Sequence, residues 1–468
     1  MNFWALASCK PDARALMFGA DAASAGSMTY AELGRRADDF AGKIGGSDRK
    51  RLGAILCRNA PEAIIAYLAA LRCGDAMMLL DGQTNPAPLQ AILERYQPEW
   101  MYQAMPQQDR QGYTGEHEDD RPDGWHLLRR ANPGPTATPH PDLAVLLSTS
   151  GTTGSPRMVR LSHANIASNA KAIVEYLAID SGVRVITTLP FNYSYGMSVV
   201  NSHLAAGATL VLTECGLTSR EFWDTFNYHR VTSLPGVPYT YQMLHRLNPR
   251  KLQLDSLDTL TQAGGPLPRR LVDYFRELSD ERGWRFFVMY GQTEAAPRIS
   301  YVPPTMLASK AGSIGIAIPG GRLTLTESGE LIFEGRNVMM GYAECRDDLA
   351  GGDELNGRLA TGDLANVDAD GYYFLRGRLK RFIKIHGNRI SLDEIEQGLE
   401  SRLNQPVAVV GRDDQLKVYL SAGANADAAK QLLTRSYHLH PATFSLVPVV
   451  ALPYTASGKK DYSGLDTR

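Results

Sequence analysis

The sequence predicts an α/β fold. It comprises a large N-terminal part of layered parallel sheets with helices, a β-rich subdomain after them, and a small α+β C-terminal part. Three observations predict it. Short apolar runs alternate with helical patterns near the start, which argues for a parallel sheet covered on both sides. Glycine-punctuated stretches of strand character fill Gly312–Gly320 and Gly329–Gly341. Beyond Ser391 a helix, two strands and another helix follow in a short space. The 468 residues allow more than one domain, and a 44% hydrophobic content allows well-filled cores.

Thr29 and Glu32 have capping-box spacing and open a helical pattern running to Ile44. Arg51–Cys57 is a candidate strand. Pro61 starts a helix with Ile64, Ile65, Leu68 and Leu71 on one face, and Gly74 closes it. Ala76–Leu80 reads as a strand and Leu89–Tyr96 as a helix. Pro106–Pro141, rich in Gln, Asp, Gly and Pro, reads as surface loop with at most one short strand. The apolar run Ala144–Leu147 is a buried strand, Ala164–Leu177 a helix and Val183–Thr188 a strand. A further helix starts at Arg269. Ser391 and Glu394 cap the helix DEIEQGLESRL, Val407–Val410 and Leu416–Ser421 are strands, and Ala428–Ser436 is a helix.

A formal charge of -1 gives no sign of a nucleic-acid or membrane surface. Cys9, Cys57, Cys73, Cys215 and Cys345 are odd in number, scattered and without metal-ligand spacing, which points to reduced thiols in a cytoplasmic protein. The stretch ending at Cys9 lacks the basic region and apolar length of a cleaved leader. Pro190, Asn192 and Asn201 interrupt the longest uncharged stretch, so no membrane span is expected.

The chemistry centres on Ser148–Arg157, STSGTTGSPR. Glycines let a backbone approach a ligand closely, and hydroxyls with exposed N–H groups suit phosphate oxygens. The stretch is not a Walker A loop, because no Gly-Lys-Ser/Thr ending follows. A flexible surface loop is the plain alternative. A second stretch, VMYGQTE, runs from a strand into an aromatic, a glycine, a hydroxyl and an acid. Tyr290 offers a flat face for a purine, Gly291 lets the chain turn, Thr293 bonds an oxyanion, and Glu294 suits Mg²⁺. A helix cap is its plain alternative.

These stretches resemble the adenylate-forming enzymes: acyl-CoA synthetases, adenylation domains of peptide synthetases and luciferases. The stand-alone acyl- or aryl-acid ligases are the nearest kind. The hydroxyl-rich run is similar to that family's phosphate loop, and TYAEL at Thr29–Leu33 to its opening. The chain departs where the family has Lys-Gly: Arg157 keeps the charge, and Met158 puts a bulky side chain in place of glycine.

The resemblance implies a nucleotide site built from Thr149, Ser150, Gly151, Thr152, Thr153, Gly154, Arg157, the turn Gly264-Gly265-Pro266, Tyr290, Gly291, Asp363 and Arg378. Gly264 and Gly265 would lie along the adenine, Asp363 would hold the ribose hydroxyls, and Arg378 would contact ribose and phosphate. A tight turn and a surface acid and base are the plain alternatives. LPFNYSYG falls where the family lines its acyl pocket, which implies Asn192, Tyr193, Tyr195 and Gly196 as pocket residues. Amino-acid-activating members place Asp where Asn192 stands. An amide cannot pair an ammonium, so the substrate expected is another small carboxylic acid. Asn192 holding a turn is the plain alternative.

Lys380 falls at the family hinge, implying a domain 1–379 that carries the nucleotide and acyl sites and a mobile lid 380–468. LPYTASGKKDY matches the terminal catalytic motif and selects Lys459 over Lys460. With Glu294 and Thr293, Lys459 completes the implied catalytic set, and Glu294 is the implied metal ligand. Lys384 and Gly387 match the thiol channel. The implied cofactors are ATP and Mg²⁺, with coenzyme A or a carrier protein's phosphopantetheine as acceptor. No carrier domain follows Arg468, so a carrier would be a separate chain. The implied reaction joins a carboxylic acid to AMP and then to the thiol. A stand-alone aminoacyl ligase and a degenerate nucleotide-binding homologue are the alternatives.

Overall fold

A computed structural model of the chain describes residues 2–45, 48–104, 112–115, 124–131, 137–148, 157–379, 381–385, 388–437, 439–454, 460–462 and 465. Two large sheets and the helices around them make up the N-terminal part. The eight-stranded sheet places Leu52–Cys57 between Ala76–Asp81 and Trp100–Ala104, with Leu143–Ser148 beyond Ala76–Asp81. These four strands run parallel. The nine-stranded sheet is parallel from Arg14–Phe18 through to Arg285–Gly291.

Alternation within single strands explains the layering. Along Leu52–Cys57, Leu52, Ala54 and Leu56 enter one apolar cluster, while Ile55 and Cys57 enter another. Both faces are covered, so the strand reads as an unbroken apolar run. The shared cluster takes side chains from both sheets and from the helices Tyr30–Ile44, Pro61–Cys73, His163–Leu177 and Ser194–Ala205. These four helices therefore lie between the sheets. Pro61–Cys73 buries every residue from Ala63 to Leu71, and each large aliphatic among them contributes roughly 1.5–3 kcal/mol.

The caps follow from local chemistry. Thr29 accepts the Glu32 N–H, and Ser391 accepts the Glu394 N–H. Gly74 ends its helix in the left-handed region, where a Cβ would be strained.

Three differences from the sequence reading concern strands. The sheets are parallel only in their middles: Gly26–Thr29, Arg298–Val302 and Ile316–Ala317 add antiparallel edges to one, and Met158–Ser162, Gly341–Ala343, Tyr113–Gly115 and Trp125–Arg130 to the other. Pro106–Pro141 holds two strands rather than at most one, because Trp125–Arg130 pairs along the whole of Trp100–Ala104. The glycine-rich stretches do not all belong to the β-rich subdomain. Its sheet is Arg322–Leu325, Glu330–Glu334, Arg358–Val367 and Tyr373–Arg378, whereas Gly341–Ala343 crosses back to pair with Met158–Ser162.

The smaller C-terminal domain packs Leu392–Leu403 and Ala426–Arg435 around its own apolar cluster. Its sheet has a third strand, Phe444–Val449, parallel to Gln415–Ser421. Pro448 within this edge strand hides it from periodicity alone.

Candidate active site

The strand Arg285–Gly291 delivers Tyr290 to the end of the nine-stranded sheet, and the chain turns sharply at Gly291. A Cβ there would sit 1.9 Å from the Pro297 carbonyl oxygen, so only glycine fits. Tyr290 donates its hydroxyl to Asp363 Oδ2. Gln292 Nε2 donates to the same oxygen at 3.0 Å and to the Thr361 carbonyl at 2.8 Å. Asp363 stands directly across the β-ladder from Arg378, whose Nε lies 3.2 Å from Asp363 Oδ1. Burial and the adjacent Asp363 carboxylate hold the Tyr290 phenol well above its usual range, so it remains a donor. Tyr290, Gly291, Asp363 and Arg378 thus share one neighbourhood.

Glu294 lies at the far end of the same turn. Tyr342 donates to Glu294 Oε1 at 2.8 Å, and the Glu294 carbonyl accepts the Met339 N–H at 2.8 Å. The guanidinium of Arg157 lies 3.5 Å above the Tyr342 ring centroid. Tyr342 rides on the strand that pairs with Met158–Ser162, and this pairing brings Arg157 to it. Met158 points the other way, fully buried with Met340 and Ala343. The bulky residue in place of glycine is therefore core.

Thr293 Oγ1 lies 3.1 Å from Ser194 Oγ, the first residue of the helix Ser194–Ala205. Tyr193 caps that helix, and its hydroxyl sits 2.8 Å from where a Cβ on Gly264 would be. Gly264 has φ +87°, so its conformation and its surroundings both favour glycine. Gly265 and Pro266 follow in the exposed turn before Arg269–Arg282. Burial raises the Tyr193 phenol to about 12, although the nearby Arg298 charge opposes this.

Asn192 is half-buried in the turn closed by Tyr193 N–H to the Pro190 carbonyl, and its side chain makes no hydrogen bond among the described residues. Gly196 packs against the Pro190 carbonyl, where a Cβ would come within 2.1 Å. Tyr195 faces inward: it is buried, with its hydroxyl 2.9 Å from both oxygens of Thr261.

Thr149, Ser150, Gly151, Thr152, Thr153, Gly154, Lys380, Gly387 and Lys459 lie outside the described residues, as does the side chain of Lys384. Lys460 is described and is engaged elsewhere. Its Nζ bonds Glu396 Oε1 at 2.5 Å, Glu400 Oε1 at 2.7 Å and the Val407 carbonyl at 2.6 Å.

The AMP-binding enzyme family matches residues 3–343. The chain belongs to the AMP-binding enzymes. It is 30% identical to the indoleacetate–CoA ligase of Aromatoleum aromaticum over 83% of this chain and 81% of the relative. It is 31% identical to the feruloyl-CoA synthase of an Amycolatopsis species over 55% of this chain and 54% of that protein. The o-succinylbenzoate coenzyme A synthetase of Bacillus subtilis, solved with ATP and magnesium and with its acyl-adenylate, shares the fold. The TM-score is 0.77 at 22% identity, over 99% of this chain and 97–99% of that one. As a member of this family the chain is an AMP-forming acid–thiol ligase of the acyl-CoA synthetase type.

As an AMP-binding enzyme it must hold a nucleotide, and the donors present suit one. Magnesium takes one or two carboxylates plus substrate phosphates. Glu294 supplies one such carboxylate, and no cluster of three or more possible ligands exists among the described residues. No described helix is long and apolar enough to cross a membrane.

Sequence reasoning missed Gln292, Ser194 and Tyr342. Gln292 and Ser194 fall inside the motifs but at positions whose side chains the motif leaves open. Tyr342 carries no local signal, because its partners Arg157 and Glu294 are reached only through strand pairing.

Proposed function

We propose that the enzyme activates a small carboxylic acid other than an α-amino acid, first as its acyl-adenylate and then as a coenzyme A thioester. The observation that carries this reading is the convergence of three pairs on the end of one strand: Tyr290 with Asp363, Glu294 with Tyr342, and Thr293 with Ser194. They join the nucleotide residues implied by the motifs to the acyl-pocket helix.

In the first step a carboxylate oxygen attacks the α-phosphorus of ATP. The bond to the pyrophosphate oxygen breaks, and the acyl-adenylate and pyrophosphate result. The nucleophile is already ionised, so no general base is needed. The barrier is repulsion between anions and charge gathering on the phosphate, and positioned cations and donors lower it. Asp363 is the ribose acceptor. Tyr290, Gln292 and Arg378 already hold it in place, so ribose hydroxyls share or displace those bonds. Glu294, oriented by Tyr342, is the carboxylate that would hold magnesium, which when bound neutralises phosphate charge. Arg157 and the hydroxyl loop receive the departing phosphates, and Lys459 bridges the carboxylate and phosphate oxygens.

In the second step a thiolate attacks the acyl carbon and AMP leaves. The lid, 380–468, rotates about Lys380 between the steps, and Lys384 and Gly387 line the thiol's path. Coenzyme A is favoured as the acceptor because the curated relatives are CoA ligases and synthases. The amide of Asn192 speaks against a substrate ammonium.

ATP–pyrophosphate exchange across aryl, fatty, hydroxy and amino acids tests the first step, and thioester formation with coenzyme A or a carrier protein tests the second. Exchange stimulated by amino acids alone would overturn the substrate class.

A further inference from the structure

We infer that Arg160 is a positioning residue for the adenylation site: its buried guanidinium fixes Tyr342 and, through Tyr342, the magnesium carboxylate Glu294. This rests on the reading of Glu294 given above. Arg160 sits in the middle of the strand Met158–Ser162, just beyond the hydroxyl-rich run, and is fully buried. It shares a strand face with Met158, which belongs to the apolar cluster of Met340, Ala343 and Leu349. An aliphatic side chain would fill such a place. A guanidinium there pays a desolvation penalty that only well-placed acceptors offset.

The acceptors all come from one segment. Arg160 Nε donates to the Tyr342 carbonyl at 3.1 Å, its Nη1 to the Gly351 carbonyl and its Nη2 to Glu354 Oε1. Its own carbonyl accepts the Met340 N–H at 2.8 Å. Gly341 lies opposite Arg160 in the ladder. A Cβ on Gly341 would come within 2.7 Å of Arg160 Nη2 and 2.6 Å of Glu354 Oε2. The backbone thus leaves room for the ion pair.

The same segment holds Glu294. The Glu294 carbonyl accepts the Met339 N–H and its carboxylate accepts the Tyr342 hydroxyl, both at 2.8 Å. Gly341–Ala343 is the outermost strand of its sheet and only three residues long, so the ladder restrains it from one side. The Arg160 side chain supplies a second restraint. A shift of the Tyr342 backbone would carry its hydroxyl off Glu294 and its ring from under Arg157. Fixing register is the best-attested use of a buried charge. The Glu354 side chain is 61% exposed, so the anionic half of the pair can be removed from the surface without opening the core.

The test compares Arg160→Met, Arg160→Lys and Glu354→Ala in the full chain, each alone and combined with Tyr342→Phe. Equilibrium dialysis reads ATP binding with and without magnesium chloride, and ATP–pyrophosphate exchange is titrated with magnesium. Arg160→Met should raise the magnesium midpoint about three- to tenfold, a range bounded by the loss of one hydrogen bond to a charged group. It should weaken ATP binding only when magnesium is present. Glu354→Ala should shift both readings the same way by about twofold, as an exposed partner does. Arg160→Lys should recover part of the loss, because an ammonium keeps the charge without the planar fork. In the Tyr342→Phe background none of the three should move the midpoint further, since residues acting through one bond are not additive. An unmoved midpoint in Arg160→Met and Glu354→Ala, whether or not stability falls, would make Arg160 a structural residue and overturn the inference while adenylation stands. A shift that adds in full to that of Tyr342→Phe would overturn it too. If Arg160→Met fails to fold, Glu354→Ala in the two backgrounds decides alone. No exchange by the unmodified enzyme with any carboxylic acid would overturn the adenylation reading and the inference together.

Discussion

The Arg157 guanidinium lies 3.5 Å above the Tyr342 ring, and Tyr342 in turn donates to Glu294. One tyrosine thus ties the last residue of the hydroxyl-rich run to the acid of the YGQTE turn. A flat guanidinium stacks on a ring better than a lysine ammonium does, so the departure from the usual Lys-Gly pair is consistent with its surroundings. Arg157→Lys and Tyr342→Leu should each lower kcat for pyrophosphate exchange, and the double variant should lose less than the sum of the two. A coupling of about 0.5–2 kcal/mol is expected from a double-mutant cycle; strict additivity would show the contact to be idle.

Tyr342→Phe keeps the ring under Arg157 and removes only the bond to Glu294. A hydrogen bond to a charged group is worth about 1.5–3 kcal/mol, so a roughly tenfold or larger rise in the magnesium concentration for half-maximal exchange is expected. A titration of activity against magnesium measures it, and an unshifted midpoint would separate Tyr342 from the metal carboxylate.

The two adjacent lysines should part company. Lys459→Ala is expected to cost exchange activity about 100-fold or more with ATP binding and melting temperature retained, as loss of a group that acts on the transition state does. Lys460→Met removes the cation from between Glu396 and Glu400 and should instead destabilise the small domain by about 3 kcal/mol. Denaturant unfolding followed beside exchange assays distinguishes the two patterns; the reverse pattern would exchange their roles.

Asn192→Asp tests the substrate's charge. The new carboxylate would repel an anionic acid and raise its KM, whereas it would help a substrate bearing an amine. Steady-state exchange with both kinds of acid reads the sign, and improved amino-acid activation would restore the aminoacyl alternative.

Burial lowers the His203 imidazole to about 4. Its folded value lies below its unfolded value near 6.5, so the unfolded chain takes up the proton first on acidification. The associated stability is present above pH 6.5 and is lost as pH falls toward 4, amounting to about 3 kcal/mol. His203→Gln should show a smaller loss of stability over that window in urea titrations at fixed pH values. Parallel losses in both proteins would mean that other groups carry the acid sensitivity.

The α/β class and most helices were legible because they rest on short-range rules. Thr29 and Ser391 cap the helices their spacing announces, and Gly74 stops its own. Strand edges were less legible. Trp125–Arg130 alternates too weakly to stand out from the polar residues around it, and its partner, not its own pattern, makes it a strand.

The sequence by itself determined the family motifs, the layering of strands and helices, and the residue types able to meet a nucleotide. These depend on composition and spacing along the chain. Only the tertiary structure decided that Tyr342 orients Glu294, that Met158 is core, that Lys460 is spoken for, and that Arg298 is buried against the Tyr195 ring. Each of those depends on which distant segments share a face, and strand register and side-chain burial, not neighbours in the chain, set that.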